Sequence, residues 1–349
     1  MLPTSTRQIH LIRRAGGAPS PDDFRLVETP LPPLAPGELL VRNLWMSVDP
    51  YMRRNMDEDA KDLDPWPIES ALNGPSVGRV IASRNSGFKE GDLVESMSGW
   101  QEHFISNGDP FTPYLSSNTA VVIRRAEGAT PKDFCGLLGI AAFTGYAALT
   151  RLVQAKEGNT IVISSGAGAV GSVACQIAKI FGLRVVTSAG SPHKVAWLSE
   201  VAKADVAFDY KCTDLSAALA HACPDGIDYV LENASPEHLS ACLPLMRESG
   251  AIYVAGFVSL YSQGGRAAPI ANLEFVLDRF LTIKAYKFMD YLDSYERFLA
   301  DMIEWRAAGR LTFREMVFDG LEAAPQALAA LFDGSSFGKC LVRICDDAD

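Results

Sequence analysis

Apolar positions follow two rhythms along this chain. From Gln8 to about residue 125 they form short β-branched runs: Ile9-His-Leu-Ile12, Glu38-Leu-Leu-Val-Arg42, Val77-Gly-Arg-Val-Ile81, Asp92-Leu-Val94 and Ala120-Val-Val-Ile123. Gly, Pro and Asn punctuate them, which predicts a compact, mostly antiparallel barrel. After about Phe134 apolar runs alternate with amphipathic stretches, the pattern of a parallel sheet with crossover helices. Strands are expected over residues 160–164, 184–188, 206–209, 227–231, 251–255 and 281–285, with helices including 192–203, 215–222 and 237–246. The result is an α/β chain with a six-stranded doubly wound core. A longer helix over 295–306 runs to Gly309, and Lys339-Cys-Leu-Val-Arg-Ile344 is expected to return to the N-terminal barrel as a closing strand. Residues 135–150 carry no charge but are short and interrupted by Gly136, Gly139 and Gly145, so they read as a buried, tightly packed helix rather than a membrane span.

The most informative stretch runs from Thr160 to Gly182. Thr160-Ile-Val-Ile163 has the composition of a strand buried on both faces. Gly166, Gly168 and Gly171 follow in G-x-G-x-x-G spacing. In that spacing the first glycine allows the turn, the second lets backbone approach a pyrophosphate, and the third allows close packing of helix on strand. Val170, Val173, Ala174, Ile177 and Phe181 recur at helical steps, and Gly182 is placed to end the helix. Its first N–H groups and positive dipole end, around Ala169 and Val170, would face the phosphates. Strand, glycines and helix in this order predict a dinucleotide site.

Composition narrows the function. The 349 residues are enough for two domains. Seven cysteines without a C-x-x-C pair argue against a disulfide framework and for a reducing compartment. The formal charge of −10 argues against a polyanionic partner. The first ten residues lack an apolar signal core, so a cytoplasmic protein is expected. The five histidines, His10, His103, His193, His221 and His238, never fall at zinc-ligand spacing with Cys or Glu, and no G-x-S-x-G elbow occurs. Zinc chemistry and a serine-hydrolase mechanism are therefore not expected, which leaves a cofactor to carry the reaction.

The type of dinucleotide is read at the end of the second strand. NAD-binding units place Asp or Glu about twenty residues past the glycines to hold the ribose 2′-hydroxyl. Here the strand ends Val186-Thr-Ser-Ala-Gly-Ser191 without an acid, and Lys194 follows in the first helical turn. A solvated helix lysine is the plain alternative, but the missing acid favours a 2′-phosphate and so NADPH. Ligands bind beyond the carboxyl ends of the strands of such sheets, which directs attention to Gly256-Phe-Val-Ser-Leu-Tyr-Ser262. The Tyr261 hydroxyl suits a substrate oxygen that gains negative charge; its ring equally suits a loop covering apolar surface. Asn233 suits either a cofactor ribose or local backbone.

These residues resemble the zinc-independent medium-chain reductases typified by leukotriene B4 12-hydroxydehydrogenase/prostaglandin 13-reductase, plant alkenal double-bond reductases and bacterial curcumin reductase. The resemblance covers nearly the whole chain. Its markers are Asp49-Pro-Tyr-Met-Arg53, Gly91-Asp-Leu-Val94, Gly99-Trp100, residues 165–171, Ser188-Ala-Gly-Ser191 with Lys194, Phe208-Asp-Tyr-Lys211, Glu232-Asn233, residues 256–261 and Phe337-Gly-Lys339. It implies a GroES-like barrel domain from residues 1–134 and 312–349, a Rossmann NADPH-binding domain over 135–311, an active site between them and a homodimer. By the same resemblance Gly190, Ser191, Lys194 and Tyr210 lie at the adenosine 2′-phosphate and Gly168, Ala169, Val170 and Gly171 at the pyrophosphate. Asn233, Ala255, Phe257, Val258, Ser259 and Ser336 lie on the nicotinamide side, and Phe288 is a further cofactor-binding residue. Tyr261 matches the tyrosine that steadies the substrate carbonyl, and Tyr51 an aromatic of the substrate pocket. Where the family usually has a glycine pair after Asn233 the chain reads Ala234-Ser235-Pro236, and Ser262 and Ser336 stand in place of its Asn residues.

The activity so implied is NADPH-dependent reduction of the C=C bond of α,β-unsaturated ketones or aldehydes. A quinone reductase, a dedicated biosynthetic reductase, or a non-catalytic NADPH-binding sensor or scaffold are the alternatives.

Overall fold

The computed structural model describes residues 1–60, 64–108, 120–123, 128–262 and 269–346. The chain divides into two compact units, Met1–Gly139 with Glu315–Asp349, and Ile140–Arg314. Strands of the first unit that precede the second are β1 (Ser5–Leu11), β2 (Phe24–Pro30), β3 (Leu39–Ser47), β4 (Ser76–Ser83), β5 (Leu93–Ser96), β6 (His103–Ser106) and β7 (Ala120–Val122). The second unit holds β8 (Thr160–Ile163), β9 (Arg184–Ala189), β10 (Val206–Asp209), β11 (Ile227–Glu232), β12 (Met246–Val254) and β13 (Thr282–Ala285). The chain then returns to the first unit as β14 (Glu315–Asp319) and β15 (Lys339–Arg343).

In the first unit β1 and β2 form an antiparallel ribbon, and a seven-stranded sheet runs β14-β15-β3-β4-β5-β7 with β6 paired to β3. The predicted closing strand is β15, antiparallel to β3 with Leu341 opposite Ser47. Its parallel neighbour β14 and the helix Ala324–Asp333 are absent from the sequence reading. The apolar core is organised around Trp100, whose ring stacks on Phe24 at 5.6 Å and meets Trp66 edge-on at 5.1 Å.

Two of the recognised motifs meet in this unit. Lys339 Nζ lies 2.6 Å from Asp49 Oδ1 and 2.7 Å from the Val48 carbonyl, while the Ser47 hydroxyl donates to the other Asp49 oxygen. The fully buried Arg53 donates to the carbonyls of Gly17 and Ala15 and pairs with Asp57. The charged members of Asp49-Pro-Tyr-Met-Arg53 therefore hold the loop shut. Tyr51, between them, is half-buried, and burial with the Asp49 charge raises its hydroxyl pKa well above the ordinary value, so it remains a neutral hydrogen-bond donor.

Glu95 of β5, opposite Val77 of β4, has its carboxyl pKa pushed up to about 7 by burial. A carboxyl with a raised folded-state pKa holds its proton more tightly folded than unfolded, so stability falls as pH rises through the window from 4.5 to about 7. Glu95→Gln is expected to flatten that slope and add about 2 kcal/mol at pH ~8 after allowance for residual water contact. Urea midpoints at about pH 5 and about pH 8 check it; a slope unchanged by the substitution refutes it.

The second unit has the sheet order β10-β9-β8-β11-β12-β13, every pair parallel. Chain order reverses between β8 and β11, so the crevice at their carboxyl ends is the switch point where ligands bind in such sheets. β8 is buried throughout, as its composition predicts. The uncharged stretch 135–150 differs from expectation: it is the end of helix Pro131–Cys135, a glycine break, helix Ile140–Ala147 and the start of a wider turn, Ala148–Leu152. Gly136 adopts φ −106°, ψ −110°, outside helical values. The tight packing holds, because a Cβ on Gly145 would lie 2.9 Å from the Val170 carbonyl. The expected helix 237–246 stops at Cys242, since Pro244 lacks the N–H to continue it, and β12 begins at Met246. No helix among the described residues is long and apolar enough to cross a membrane.

Candidate active site

The turn after β8 leads into helix Ala169–Ile180, with Gly168 as a cap that contributes no side chain. The left-handed residue of the turn is Ser165, at φ 52°, rather than Gly166. Gly166 is required for a different reason: a Cβ there would lie 2.0 Å from Thr187 Oγ1 on β9, whose hydroxyl donates to the Ile163 carbonyl. At Gly171 a Cβ would lie 2.4 Å from the Ser165 carbonyl oxygen and 2.8 Å from Gly166 Cα, so helix and turn approach through bare backbone. Gly168 differs, since an added Cβ would meet only Ser165 of its own turn, at 3.2 and 3.3 Å. The outer face of the turn is open there, beside the unpaired first N–H groups of the helix.

The second loop follows β9. Pairing of Asp209 with Ala189 brings residues 210 and 211 beside Gly190. A Cβ on Gly190 would lie 3.0 Å from both the Tyr210 hydroxyl and Lys211 Cε, so this glycine makes room for both side chains. Ser191 stands at the N-cap position of helix Pro192–Glu200 but makes no side-chain cap bond, with Lys194 buried in the first turn and Tyr210 about half exposed. Lys211, beside Gly190, adds a second cation to this edge.

The third loop is built on Glu232, the last residue of β11 and fully buried. Its Oε1 accepts from the Ser164 hydroxyl at 2.9 Å and from the N–H groups of Ala234 and Ser235 at 2.6 and 2.9 Å. Its Oε2 lies 2.8 Å from His238 Nδ1. The Asn233 N–H donates to Ser164 Oγ, fixing the residue over the switch point. Ser235 and Pro236 start helix Pro236–Cys242: Ser235 Oγ accepts from the His238 N–H and Pro236 fills the first helical position.

The fourth loop is hydrogen-bonded to the third. Ala255 N–H donates to the Glu232 carbonyl at 2.9 Å, and Ser259 N–H to the Ala234 carbonyl at 3.0 Å. The short helix Val258–Tyr261 follows, with Phe257 packed on the sheet core. The Tyr261 hydroxyl lies over Gly256, 3.2 Å from where a Cβ would stand.

Three buried polar atoms on these loops have no hydrogen-bond partner among the described residues: Ser191 Oγ, Asn233 Oδ1 and Ser259 Oγ. Buried polar atoms ordinarily find partners, so orphans on three loops of one sheet edge fit a ligand rich in hydroxyl and amide groups. Phe288 also belongs to this unit, half-buried with its ring 6.3 Å from Phe143. Tyr51 and Ser336 belong to the first unit, where the Ser336 N–H donates to the Ala330 carbonyl. Sequence reasoning missed the parts played by Ser164, Glu232 and His238. Among the described residues no group of three or more His, Cys, Asp and Glu side chains could hold a metal ion.

Comparison with known proteins identifies the family. Residues 7–113 match a family described as the N-terminal domain of oxidoreductase, and residues 169–304 one described as zinc-binding dehydrogenase. The chain is 34% identical to the NADPH-dependent curcumin reductase of Escherichia coli, over 97% of this chain and 96% of that protein. It is 33% identical to the NADP(+)-dependent 2-alkenal reductase of Nicotiana tabacum, over 97% and 98%. The crystal structure of CurA from Vibrio vulnificus in complex with NADPH superposes with a TM-score of 0.88 at 32% identity, covering 97% of this chain and 99% of that one. The chain belongs to the medium-chain oxidoreductase family of the curcumin, 2-alkenal and prostaglandin reductases.

Proposed function

We propose that the protein reduces the C=C bond of α,β-unsaturated ketones or aldehydes with NADPH. The observation that carries this reading is the Tyr261 hydroxyl over Gly256, on a loop hydrogen-bonded to the Glu232–Asn233 turn at the switch point. The relatives named for NADPH-dependent reduction of curcumin and 2-alkenals support the substrate class.

In this reading the open face at Gly168 and the N–H groups of Ala169, Val170 and Gly171 hold the pyrophosphate. Gly190, Ser191, Lys194 and Tyr210 hold the adenosine phosphate end. Asn233, Ala255, Phe257, Val258 and Ser259 hold the nicotinamide side; by the family resemblance Phe288 and Ser336 are further cofactor contacts and Tyr51 a substrate contact. The chemistry that bound NADPH supplies is a hydride for the β-carbon of the substrate. Tyr261 donates its O–H to the substrate carbonyl oxygen, and that bond strengthens as the oxygen becomes an enolate. Solvent then protonates the α-carbon. The test is NADPH oxidation by the purified protein against enals, enones and quinones. Turnover of enones or enals is expected; turnover of quinones alone, or NADPH binding without any turnover, overturns the reading.

Lys194 provides a test of the phosphate assignment. Lys194→Ala is expected to lower kcat/KM for NADPH by about ten- to a hundredfold, the range for one charge-assisted hydrogen bond, while leaving the value for NADH nearly unchanged. An equal loss with both cofactors refutes the contact.

A homodimer completes the proposal. β13 is the edge of the parallel sheet, with Leu277, Phe280 and Ile283 exposed on and before it. Such an edge offers unpaired backbone groups and apolar side chains to a second copy. Light scattering is expected to give a dimer mass, and Ile283→Lys with Phe280→Glu a monomer; a monomeric wild-type protein refutes it.

A further inference from the structure

The cluster of Glu232, His238 and Cys242 lies outside the groups that the proposed reaction uses, yet it sits beneath two of them. Glu232 is fully buried and His238 is 3% exposed. Cys242 Sγ, one helical turn on, is 3.8 Å from His238 Nδ1. Burial works to lower the imidazole pKa, but Cys242 and the Glu232 carboxylate outweigh it and hold the value above the ordinary one, which favours the charged ring. A buried carboxylate needs such a partner, because an uncompensated charge there is strongly destabilising.

We propose that His238 is a positioning residue: by compensating Glu232 from below, it fixes the 233–235 turn and, through it, the loop that carries Tyr261. The inference rests on the reading of this edge as the nicotinamide side of an NADPH site. The linkage can be traced atom by atom. With its charge balanced at Oε2, Glu232 Oε1 is free to accept from Ser164, Ala234 and Ser235 together. If His238 were apolar, the buried Glu232 carboxylate would lose its partner at Oε2 while Oε1 still held three donors, an uncompensated arrangement that the turn can relieve only by shifting. The turn would loosen, and with it the bonds from Ala255 and Ser259 to residues 232 and 234. Gly190, Lys194, Tyr210 and Lys211 hang instead from β9 and β10, on the other side of β8.

The two ends of the cofactor therefore report differently. In the full-length protein, His238→Leu is expected to weaken NADPH binding, read by fluorescence, by about tenfold, the scale of a lost charge-assisted interaction. Binding of 2′,5′-ADP, which occupies only the adenosine end, is expected to stay within about twofold by calorimetry. His238→Gln, whose amide N–H reaches a carboxylate, is expected to recover most of the loss. The double variant Glu232→Gln with His238→Leu, which carries no buried charge, is expected to bind NADPH better than His238→Leu alone; it also serves if the single variant fails to fold. Equal weakening of both ligands, additive losses in the double variant, or an unchanged NADPH affinity in His238→Leu would overturn the proposal. Because binding decides it, a wild-type protein that binds NADPH without reducing enones overturns only the proposed reaction.

Discussion

Tyr261→Phe is expected to lower kcat for enone reduction by about 10²-fold, the scale measured when a single donor to a developing oxyanion is removed. NADPH affinity should change little. The phenylalanine ring fills the same volume at the end of helix Val258–Tyr261 and leaves untouched the backbone bonds that tie residues 255 and 259 to the Glu232–Asn233 turn. Only the O–H over Gly256 is removed. A donor that acted mainly on the ground-state carbonyl would raise KM and spare kcat; one that acts on the enolate lowers kcat and kcat/KM together. Steady-state kinetics with an accepted enone, alongside NADPH titration of the variant, separate these cases, and an unchanged kcat would remove Tyr261 from the mechanism.

Gly171→Ala should abolish cofactor binding at ordinary concentrations. The obstruction is backbone: the new methyl would lie 2.4 Å from the Ser165 carbonyl oxygen and 2.8 Å from Gly166 Cα, and neither can rotate away. Relief requires the helix to move off the turn, which spoils the alignment of its first N–H groups with a phosphate. Overpacking of this kind costs about 1–3 kcal/mol of stability, and NADPH affinity is expected to fall by at least about 10²-fold through the lost pyrophosphate contacts. Gly168→Ala is the control, because a methyl there meets its own turn at 3.2 and 3.3 Å and calls for adjustments of a few tenths of an ångström. Calorimetric titration with NADPH and thermal melts of both variants check the contrast. Equal behaviour would mean that close packing at Gly171 does not shape the site.

Ser235 and Pro236 open the helix after Asn233 with a hydrogen-bonded cap and a proline at the first helical position. The same helix presents His238 to Glu232. The turn that carries Asn233 is thus anchored at both ends, and the backbone N–H groups of Ala255 and Ser259 tie the following loop to it.

The sequence by itself determined whatever depends on neighbours along the chain. The change from short punctuated strands to alternating strand and helix separates the two kinds of sheet. The run from Thr160 through Gly171 specifies strand, turn and helix, and the missing acid before Lys194 points to the phosphorylated dinucleotide. Only the tertiary structure decided the rest. Asp49 and Lys339 are 290 residues apart, and Ser164 and Glu232 are 68 apart. A charged residue read in isolation looks solvated, because burial without a partner is unfavourable and the partner leaves no local trace. Gly166 shows the same limit: its spacing marks it, but its necessity comes from Thr187 on the next strand, while the left-handed turn falls on Ser165. The pairing of β15 with β3 makes the first of these pairs, and the sheet order 10-9-8-11-12-13 makes the others, since it places β8 between β9 and β11 and gathers four loops at one edge.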